Sequence, residues 1–205
     1  MYLEPDALSP RMGVRYTTEG SCASNDMMIL ASSRFLPISG EIIPQGTIRV
    51  SCSLHLPASV GELRLVSADP HIQPYFEYRY MSDPKDSRRM SEGIRFIDKL
   101  LQSQAFHAIA AARLSPTDDD LNSELSLGKW LLRNVGTSRH VSCTCSMGSE
   151  MDPQAVVDQF CRVLGMQGLR IADTSVMPSI TRANTNATAV LIGERVANWI
   201  KGLDN

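Results

Sequence analysis

One segment alternates apolar and polar side chains over nine residues, and this pattern constrains the fold more than any other feature of the sequence. The apolar residues stand at every second position: Ile48, Val50, Cys52, Leu54 and Leu56. Because successive side chains of a β-strand point to opposite faces, this period predicts a strand with one buried face. Residues 62–66 alternate again after a turn, and we expect them to pair with the first strand in an antiparallel sheet.

A helix is predicted to begin at Asp83-Pro84, which combines an N-cap residue with a proline at the first helical position. The apolar residues that follow are spaced by four, three and four positions: Met90, Ile94, Ile97 and Leu101. This spacing places them on one face of a helix. The charged residues between them, Arg89 included, are expected on the opposite, solvated face.

Two further helices are expected in the second half of the chain. One covers about residues 121–134 and is preceded by the acidic run Asp118-Asp119-Asp120, which suits a helix start. The other covers residues 185–201 and carries four apolar residues on one face: Ala189, Ile192, Val196 and Ile200. Together with the alternating segments, these helices predict an α+β fold in which an antiparallel sheet has helices packed on one side.

Charge and hydropathy exclude several classes of function. Lys and Arg number 20 against 22 Asp and Glu, a net charge of -2, which gives no basis for a nucleic-acid surface or an anionic-membrane binder. No apolar run approaches the length of about 18 residues that a membrane span requires. The first residues have neither the basic nor the apolar region of a secretory signal, so a cytoplasmic location is expected. In a reducing compartment the five cysteines are expected to be free thiols.

Small and polar residues surround His140, unlike the other three histidines, which are interpreted as structural. Cys143 and Cys145 follow it closely, and small side chains let a ligand or a second backbone approach. A zinc site would need three or four ligands, and no second cysteine pair at suitable spacing supplies them, so no metal is expected. A nucleophilic cysteine beside His140 is an alternative that the spacing alone leaves open.

The second notable stretch, residues 173–188, is polar, rich in turn residues and leads directly into the terminal helix. A helix N-terminus presents free N–H groups and the positive end of the helix dipole, so it suits an anionic group. Asn184 or Thr185 as a helix cap is the simpler interpretation of the same residues.

Read together, these stretches resemble the C-terminal part of the glucose–methanol–choline family of flavin-dependent oxidoreductases. The resemblance rests on spaced motifs that follow in the family's order: 57–65, Ser67-Ala68-Asp69-Pro70, 80–84, Glu92-Gly93-Ile94-Arg95, 140–148, 165–178 and Asn184-Thr185-Asn186-Ala187. Residues 140–148 are similar to the family segment His-x-x-x-Thr-Cys-x-Met-Gly, and residues 165–178 form the most specific match.

The resemblance implies an FAD-dependent oxidation of a small alcohol and assigns roles to five residues. His140 matches the family's catalytic histidine, which accepts the hydroxyl proton, and Asn184 matches the second active-site position. Asp173 with the backbone of Ala172 matches the segment that contacts the flavin dinucleotide. Thr185, together with Asn184, is expected beside the flavin ring at the start of the terminal helix.

The chain departs from the family pattern at three points. Cys143 stands where the family often has glycine, and Val60 stands where arginine is common. The glycine fingerprint of the N-terminal Rossmann domain that binds FAD is absent. The expected organisation is therefore a substrate-binding domain over residues 1–136 and an active-site segment with its terminal helix over residues 137–205. The expected partner is a separate or missing flavin domain, and a non-catalytic remnant is the alternative.

Overall fold

A computed structural model describes residues 11–32, 47–108, 110 and 112–203 of the chain. The chain divides into two compact units. The first unit is formed by Met1–Ser59 and Tyr80–Val135, and the second unit by Val60–Arg79 and Gly136–Asn205. Antiparallel sheets combined with helices confirm the predicted α+β class. The assignment of residues 1–136 to substrate binding and of residues 137–205 to the active site stays a prediction.

The first unit packs helices against a three-stranded antiparallel sheet. Its described elements are, in chain order, β1 (Arg11–Tyr16), β2 (Met27–Ser32), β3 (Arg49–Leu54), α1 (Pro84–Leu101), α2 (Gln104–His107), α3 (Asp118–Leu121) and α4 (Glu124–Asn134). The strand order is β1-β2-β3, so β2 lies in the centre. The core contains buried residues of β2, α1 and α4: Met27, Ile29, Met90, Ile94, Ile97, Leu127 and Leu131.

The alternating segment forms β3, and its apolar positions Val50, Cys52 and Leu54 pack on this core as predicted. The predicted partner was wrong. β3 pairs with β2, from Met27 opposite Leu54 to Ser32 opposite Arg49. The reason lies after the strand, because the buried Asp86 of α1 accepts hydrogen bonds from the backbone N–H groups of Ala58 at 2.9 Å and Ser59 at 2.8 Å. These bonds hold the chain at α1 instead of returning it as a hairpin.

α1 begins as the sequence predicts. The side chain of Asp83 accepts a hydrogen bond from the N–H of Lys85 at 2.8 Å, and Pro84 opens the helix. The predicted solvated face is wrong for Arg89, whose side chain is only 11% exposed and pairs with the fully buried Asp26 at 3.0 Å. Burial alone raises the pKa of Asp26, but hydrogen bonds from Thr18 and the charge of Arg89 outweigh it and lower that pKa. Asp26 is therefore charged in the folded state.

The predicted helix over about residues 121–134 is confirmed as α4, but the acidic run that was expected to cap it forms the separate helix α3. Thr117 caps α3 through its hydroxyl, which accepts from the N–H of Asp120, while the Asp120 carboxylate accepts from the N–H of Thr117. Ser123 then starts α4 by accepting from the N–H of Ser126 at 3.0 Å. The acidic run thus forms its own capped helical turn, and Ser123 caps the start of α4.

Gly93 allows α1 to lie directly on the sheet. A Cβ at this position would overlap Cys52 Sγ and lie 2.9 Å from the Tyr16 hydroxyl and 3.1 Å from Met27 Cε. Burial raises the pKa of the Cys52 thiol to about 12, so this group packs as a neutral side chain. The contact between helix and sheet therefore has no room for a methyl group.

We expect Gly93→Ala to destabilise the protein by about 1–3 kcal/mol, because overpacking outweighs alanine's better helix propensity. Gly128→Ala in α4 is the matched control, since a Cβ there meets nothing within 4 Å. The control is expected to stabilise by about 0.5–1 kcal/mol. Urea unfolding of both variants measures the difference, and equal effects would contradict the close contact at Gly93.

The second unit contains little regular structure before its terminal helix. Its described elements are, in chain order, β4 (Glu62–Arg64), β5 (Tyr75–Glu77), a 3₁₀ helix (Thr174–Val176) and α5 (Asn186–Lys201). β4 and β5 form a two-stranded antiparallel sheet, so residues 62–66 do supply a strand, but one that pairs with β5. No helix in the described part of the chain is both long and apolar enough to cross a membrane.

α5 confirms the predicted terminal helix within one residue and packs on the core of the second unit. That core contains Val157, Cys161, Val176 and Val196. Ile192 packs against it as predicted, whereas Ile200 is 69% exposed and does not belong to the buried face. The helix ends at Gly202, whose φ of 68° is the left-handed conformation that suits glycine at a C-terminus.

Candidate functional site

The backbone of residues 141–147 is fixed by the chain around the 3₁₀ helix. The N–H groups of Cys143, Cys145 and Met147 donate to the carbonyls of Thr174, Ser175 and Val176 at 3.2, 2.9 and 2.9 Å. The hydroxyl of Thr174 donates to the carbonyl of Val141 at 3.1 Å. The two stretches that the sequence singled out are therefore directly hydrogen-bonded to each other, and His140 stands at the start of this pairing.

Cys143 has a φ of 69°, in the left-handed region that favours glycine. The resemblance placed glycine at this position in many relatives, and the backbone conformation gives a physical reason for that preference. The Cys143 thiol is partly buried and lies 3.5 Å from the Ser142 hydroxyl. A non-glycine residue is thus held in a strained conformation three residues after His140.

His140 is held between two side chains at the start of α5. Its Nδ1 lies 2.8 Å from Oγ1 of Thr185, and its Nε2 lies 3.0 Å from Nδ2 of Asn184. Thr185 is buried, His140 is partly buried and Asn184 is exposed. The structure therefore brings together three of the five residues that the sequence assigned to the site, with Asn184 on the solvent side.

The contacts indicate which nitrogen of the imidazole carries the proton in the neutral ring. The amide nitrogen of Asn184 is a donor only, so Nε2 of His140 accepts its hydrogen bond. In the neutral ring the proton then resides on Nδ1, which donates to the Thr185 hydroxyl. The lone pair of Nε2 consequently faces the exposed Asn184.

Ala172 and Asp173 lie on the other stretch of the backbone pairing. Asp173 caps the 3₁₀ helix, and its carboxylate accepts from the N–H of Ser175 at 2.8 Å. Both residues are exposed. Among the described residues, no side-chain hydrogen bond joins Asp173 to His140, so these two residues connect to the site through the backbone alone.

The alternatives based on cysteine receive no geometric support from the described residues. Both ring nitrogens of His140 are engaged by Asn184 and Thr185 rather than by a thiol. Burial, followed by the nearby charge of Asp158, raises the pKa of Cys161, so this thiol is protonated at neutral pH. No group of three metal-ligating side chains occurs among the described residues.

The start of α5 has the donor chemistry that a flavin carbonyl or another electron-rich group requires. Thr185 is the N-cap residue, yet its side chain makes no capping hydrogen bond. The first N–H groups of the helix have no acceptor within the helix. Exposed Asn186 and Ala187 follow, so the donors are not covered by bulky side chains. The residues present therefore fit an acceptor placed at this helix end.

Comparison with known proteins identifies the family. A family model described as GMC oxidoreductase matches residues 57–193, a span that contains His140, the 3₁₀ helix and the start of α5. The chain belongs to the GMC oxidoreductase family. This confirms the resemblance to the C-terminal part of these flavoenzymes.

Two curated GMC oxidoreductases show the extent of the similarity. The oxygen-dependent choline dehydrogenase of Photobacterium profundum is 35% identical over 146 residues, covering 71% of this chain and 26% of that protein. The 5-(hydroxymethyl)furfural oxidase of a Methylovorus species is 32% identical over 206 residues, covering 95% of this chain and 39% of that protein. The chain thus spans about a quarter to two fifths of the length of these GMC proteins.

A solved structure supports the same assignment. The formate oxidase of Aspergillus oryzae, studied for the modification of its FAD, is similar with a TM-score of 0.75 and 26% identity, covering 88% of this chain and 32% of that chain. The GMC family and this structural relative indicate a flavin cofactor.

Sequence reasoning missed the contact between Thr185 and His140. The family resemblance implied a place for Thr185 beside the flavin ring, and its residue type alone indicated a helix cap. The available signal was its position directly after Asn184, since two consecutive residues at a helix start can reach both nitrogens of one imidazole. Only the structure shows that the Thr185 hydroxyl is turned to the ring rather than to the helix.

Proposed function

We propose that this chain contributes the residues that accept the hydroxyl proton in an FAD-dependent alcohol oxidoreductase. The observation that carries the proposal is the His140–Asn184 pair, in which a ring nitrogen lone pair and an amide donor lie 3.0 Å apart at an exposed edge. Alcohol oxidation requires the protein to remove the hydroxyl proton and to stabilise the oxygen that loses it. Choline and 5-(hydroxymethyl)furfural, named by two relatives, both carry a primary hydroxyl, which favours a small primary alcohol as substrate.

His140 would accept the hydroxyl proton at Nε2. The substrate enters where the amide of Asn184 now meets the ring, and its O–H replaces the amide as the donor to Nε2. A neutral imidazole accepts a proton efficiently near neutral pH, because the acid and base forms are then both accessible. The proton therefore leaves the substrate oxygen without a change of charge on any carboxylate.

Asn184 would transfer its hydrogen bond from the ring to the substrate oxygen. In the free site its Nδ2 donates to His140 Nε2, and after substrate binding the same N–H donates to the oxygen that loses the proton. An amide cannot take up this proton, so it stabilises the developing negative charge without competing with His140. Removal of one such donor typically costs about 10²–10³ in rate.

FAD, when bound, supplies the acceptor for the substrate hydride. Asn184, Thr185 and the first N–H groups of α5 would hold it on one side, and Ala172 with Asp173 would contact its dinucleotide part. The positive end of α5 suits the electron-rich edge of the cofactor. The flavin-binding portion itself would come from a further domain or from a separate chain.

The test combines this chain with the flavin-binding portion of a GMC oxidoreductase, in one polypeptide or by co-expression. Under exclusion of oxygen, addition of choline or another small primary alcohol is expected to bleach the visible flavin absorption, because the hydride reduces the cofactor. The flavin-binding portion alone is the control and should not bleach. Bound flavin that stays oxidised with a panel of primary alcohols would support the non-catalytic alternative instead.

A further inference from the structure

We infer that one face of the hairpin formed by β4 and β5 is a docking surface for the flavin-binding portion of the enzyme. Four residues, Leu63, Leu65, Phe76 and Tyr78, make up this hairpin face. The choice of partner rests on the proposed function, in which a further domain or a separate chain binds FAD. The surface itself is a property of this chain.

The four side chains of the hairpin face are neighbours. Leu63 of β4 stands directly opposite Phe76 of β5, so both project to the same side of the sheet. The rings of Phe76 and Tyr78 are stacked with their centroids 6.1 Å apart. Leu65 lies just beyond the end of β4, two positions after Leu63, and positions two apart in an extended chain share one side. The hairpin face is therefore one continuous patch.

The hairpin face is open to solvent in the described part of the chain. Leu65 is 81% exposed, and the other three residues are between 37% and 43% exposed. Among the described residues, those of β4 and β5 neither belong to the core of the second unit nor pack against it. Single exposed apolar side chains are common on protein surfaces, but a contiguous apolar patch indicates a site of interaction.

The opposite side of the hairpin carries charged side chains that pair with one another. Arg79 contacts Glu77 at 2.6 Å and Glu62 at 3.1 Å. The guanidinium of Arg64 lies 4.9 Å from the ring centre of Tyr75. Such contacts persist in water, since the charged groups remain solvated. The hairpin is thus amphipathic, and the hairpin face is the side that gains free energy when a partner covers it.

A two-stranded sheet is also incomplete as a folding unit. A hairpin of this kind is marginally stable in water by itself and needs a further strand or a packed helix. Its two strands are close together at the end marked by Gly61, where a Cβ would overlap the carbonyl oxygen of Glu77. A hairpin that is already formed loses less conformational entropy when it binds a partner.

The flavin-binding portion is the partner that the chain length favours. The chain spans less than half the length of the GMC oxidoreductases described above, so in those proteins the matched part is joined to a larger remainder. The matched residues begin at position 57 and include both strands of the hairpin together with His140. Because the hairpin and His140 belong to one compact unit, docking here brings the remainder to the unit that holds the proposed proton acceptor.

Co-purification tests this docking surface without turnover. This chain, carrying an affinity tag, is co-expressed with the part of the Methylovorus 5-(hydroxymethyl)furfural oxidase that lies outside the matched 206 residues. Dissociation of the captured complex on dilution gives its Kd. Leu65→Glu is expected to raise this Kd by about 10–100-fold, because it places a charge in an apolar contact. Leu125→Glu in the first unit is the matched control, since Leu125 is 70% exposed, and it should leave the Kd unchanged.

Hydrogen exchange provides a measurement that needs no variant. The backbone amides of residues 62–66 and 75–78 should exchange more slowly in the complex than in this chain alone, because the partner covers them. A complex that forms through the hairpin face but oxidises no alcohol supports the inference, although the proposed function then fails. No complex with the wild-type chain, an unchanged Kd for Leu65→Glu, an equal loss in the control or unchanged exchange would overturn it. A dimer of this chain that Leu65→Glu dissociates, detected by sedimentation, would assign the face to a second copy and overturn it as well.

Discussion

Replacing His140 with glutamine is expected to lower kcat for alcohol oxidation by about 10²–10⁴-fold, the range typical of losing a general base. Glutamine is of similar length and retains hydrogen-bonding groups for Thr185 and Asn184, so the site should keep its shape. It cannot accept a proton near neutral pH, because a carboxamide is a very weak base. The rate of flavin reduction at saturating alcohol, measured without oxygen, gives the effect.

His71→Gln is the matched control for this experiment. His71 lies in the second unit as well, is exposed, and engages Asp69 through its backbone N–H rather than through its ring. This variant should keep the wild-type rate, and both variants should bind the same amount of flavin. A His140→Gln rate within tenfold of wild type would refute the role of His140 as proton acceptor.

Local patterns in the sequence predicted the elements whose signals are local. The structure confirms three such features: the cap at Asp83, the helical spacing of Met90, Ile94 and Ile97, and the alternation around Cys52. Each of them lies within a single helix or strand. The terminal helix is confirmed for the same reason, with its end at Gly202. These features depend on backbone preferences and on one buried face, which neighbouring residues specify.

Pairing partners could not be predicted in the same way. The strand after β3 looked like its hairpin partner, but Asp86, almost thirty residues later, binds the backbone at Ala58 and Ser59. Likewise, no local pattern indicated that β2 lies in the centre of the sheet and pairs with both β1 and β3. Such long-range contacts involve polar atoms whose partners are distant in the chain, so no periodicity reveals them.

The candidate site shows the same difference between features that local sequence predicts and contacts that it does not. The small residues after His140 and the polar start of α5 marked both stretches, and the family resemblance named His140 and Asn184 as their reactive members. The sequence did not show that Thr185 would leave its helix cap and contact the ring, since that choice depends on a single side-chain rotamer. The sequence could therefore single out candidate residues by their type, whereas the contacts between their side chains required coordinates.

The buried ion pairs of Arg89 hold the first unit together at one point. Its Nη2 lies 3.0 Å from Oδ2 of Asp26 and donates to the carbonyl of His55 at 2.8 Å. Its Nη1 lies 3.5 Å from Oδ1 of Asp86 and donates to the carbonyl of Leu56 at 3.1 Å. One guanidinium therefore links the loop before β2, the end of β3 and the first turns of α1.

Arg89→Met is expected to destabilise the protein by about 3–5 kcal/mol, because it leaves two buried carboxylates without their cation. Methionine replaces the aliphatic part of the side chain, so the loss reports the charge and hydrogen bonds rather than a cavity. Arg95→Met is the matched control on the same helix: its ion pair with Glu124 is shorter, at 2.7 Å, but its side chain is 42% exposed. That control should cost at most about 1 kcal/mol, since water solvates both separated charges.

The pH dependence of unfolding separates the charge effect from a packing defect. The folded-state pKa of Asp26 lies below its ordinary value, so its stabilisation is present above about pH 3.9 and is lost as the pH falls through the folded value. Without Arg89 the folded-state pKa of Asp26 should rise toward its ordinary value or above it, so Arg89→Met should lose less of its remaining stability than the wild type between neutral and acid pH, whereas a packing defect alone would leave that loss unchanged. Adding Asp26→Asn to Arg89→Met removes the uncompensated charge and is expected to recover part of the stability at neutral pH. An Arg89→Met variant as stable as Arg95→Met would show that the buried pairs contribute nothing to the fold.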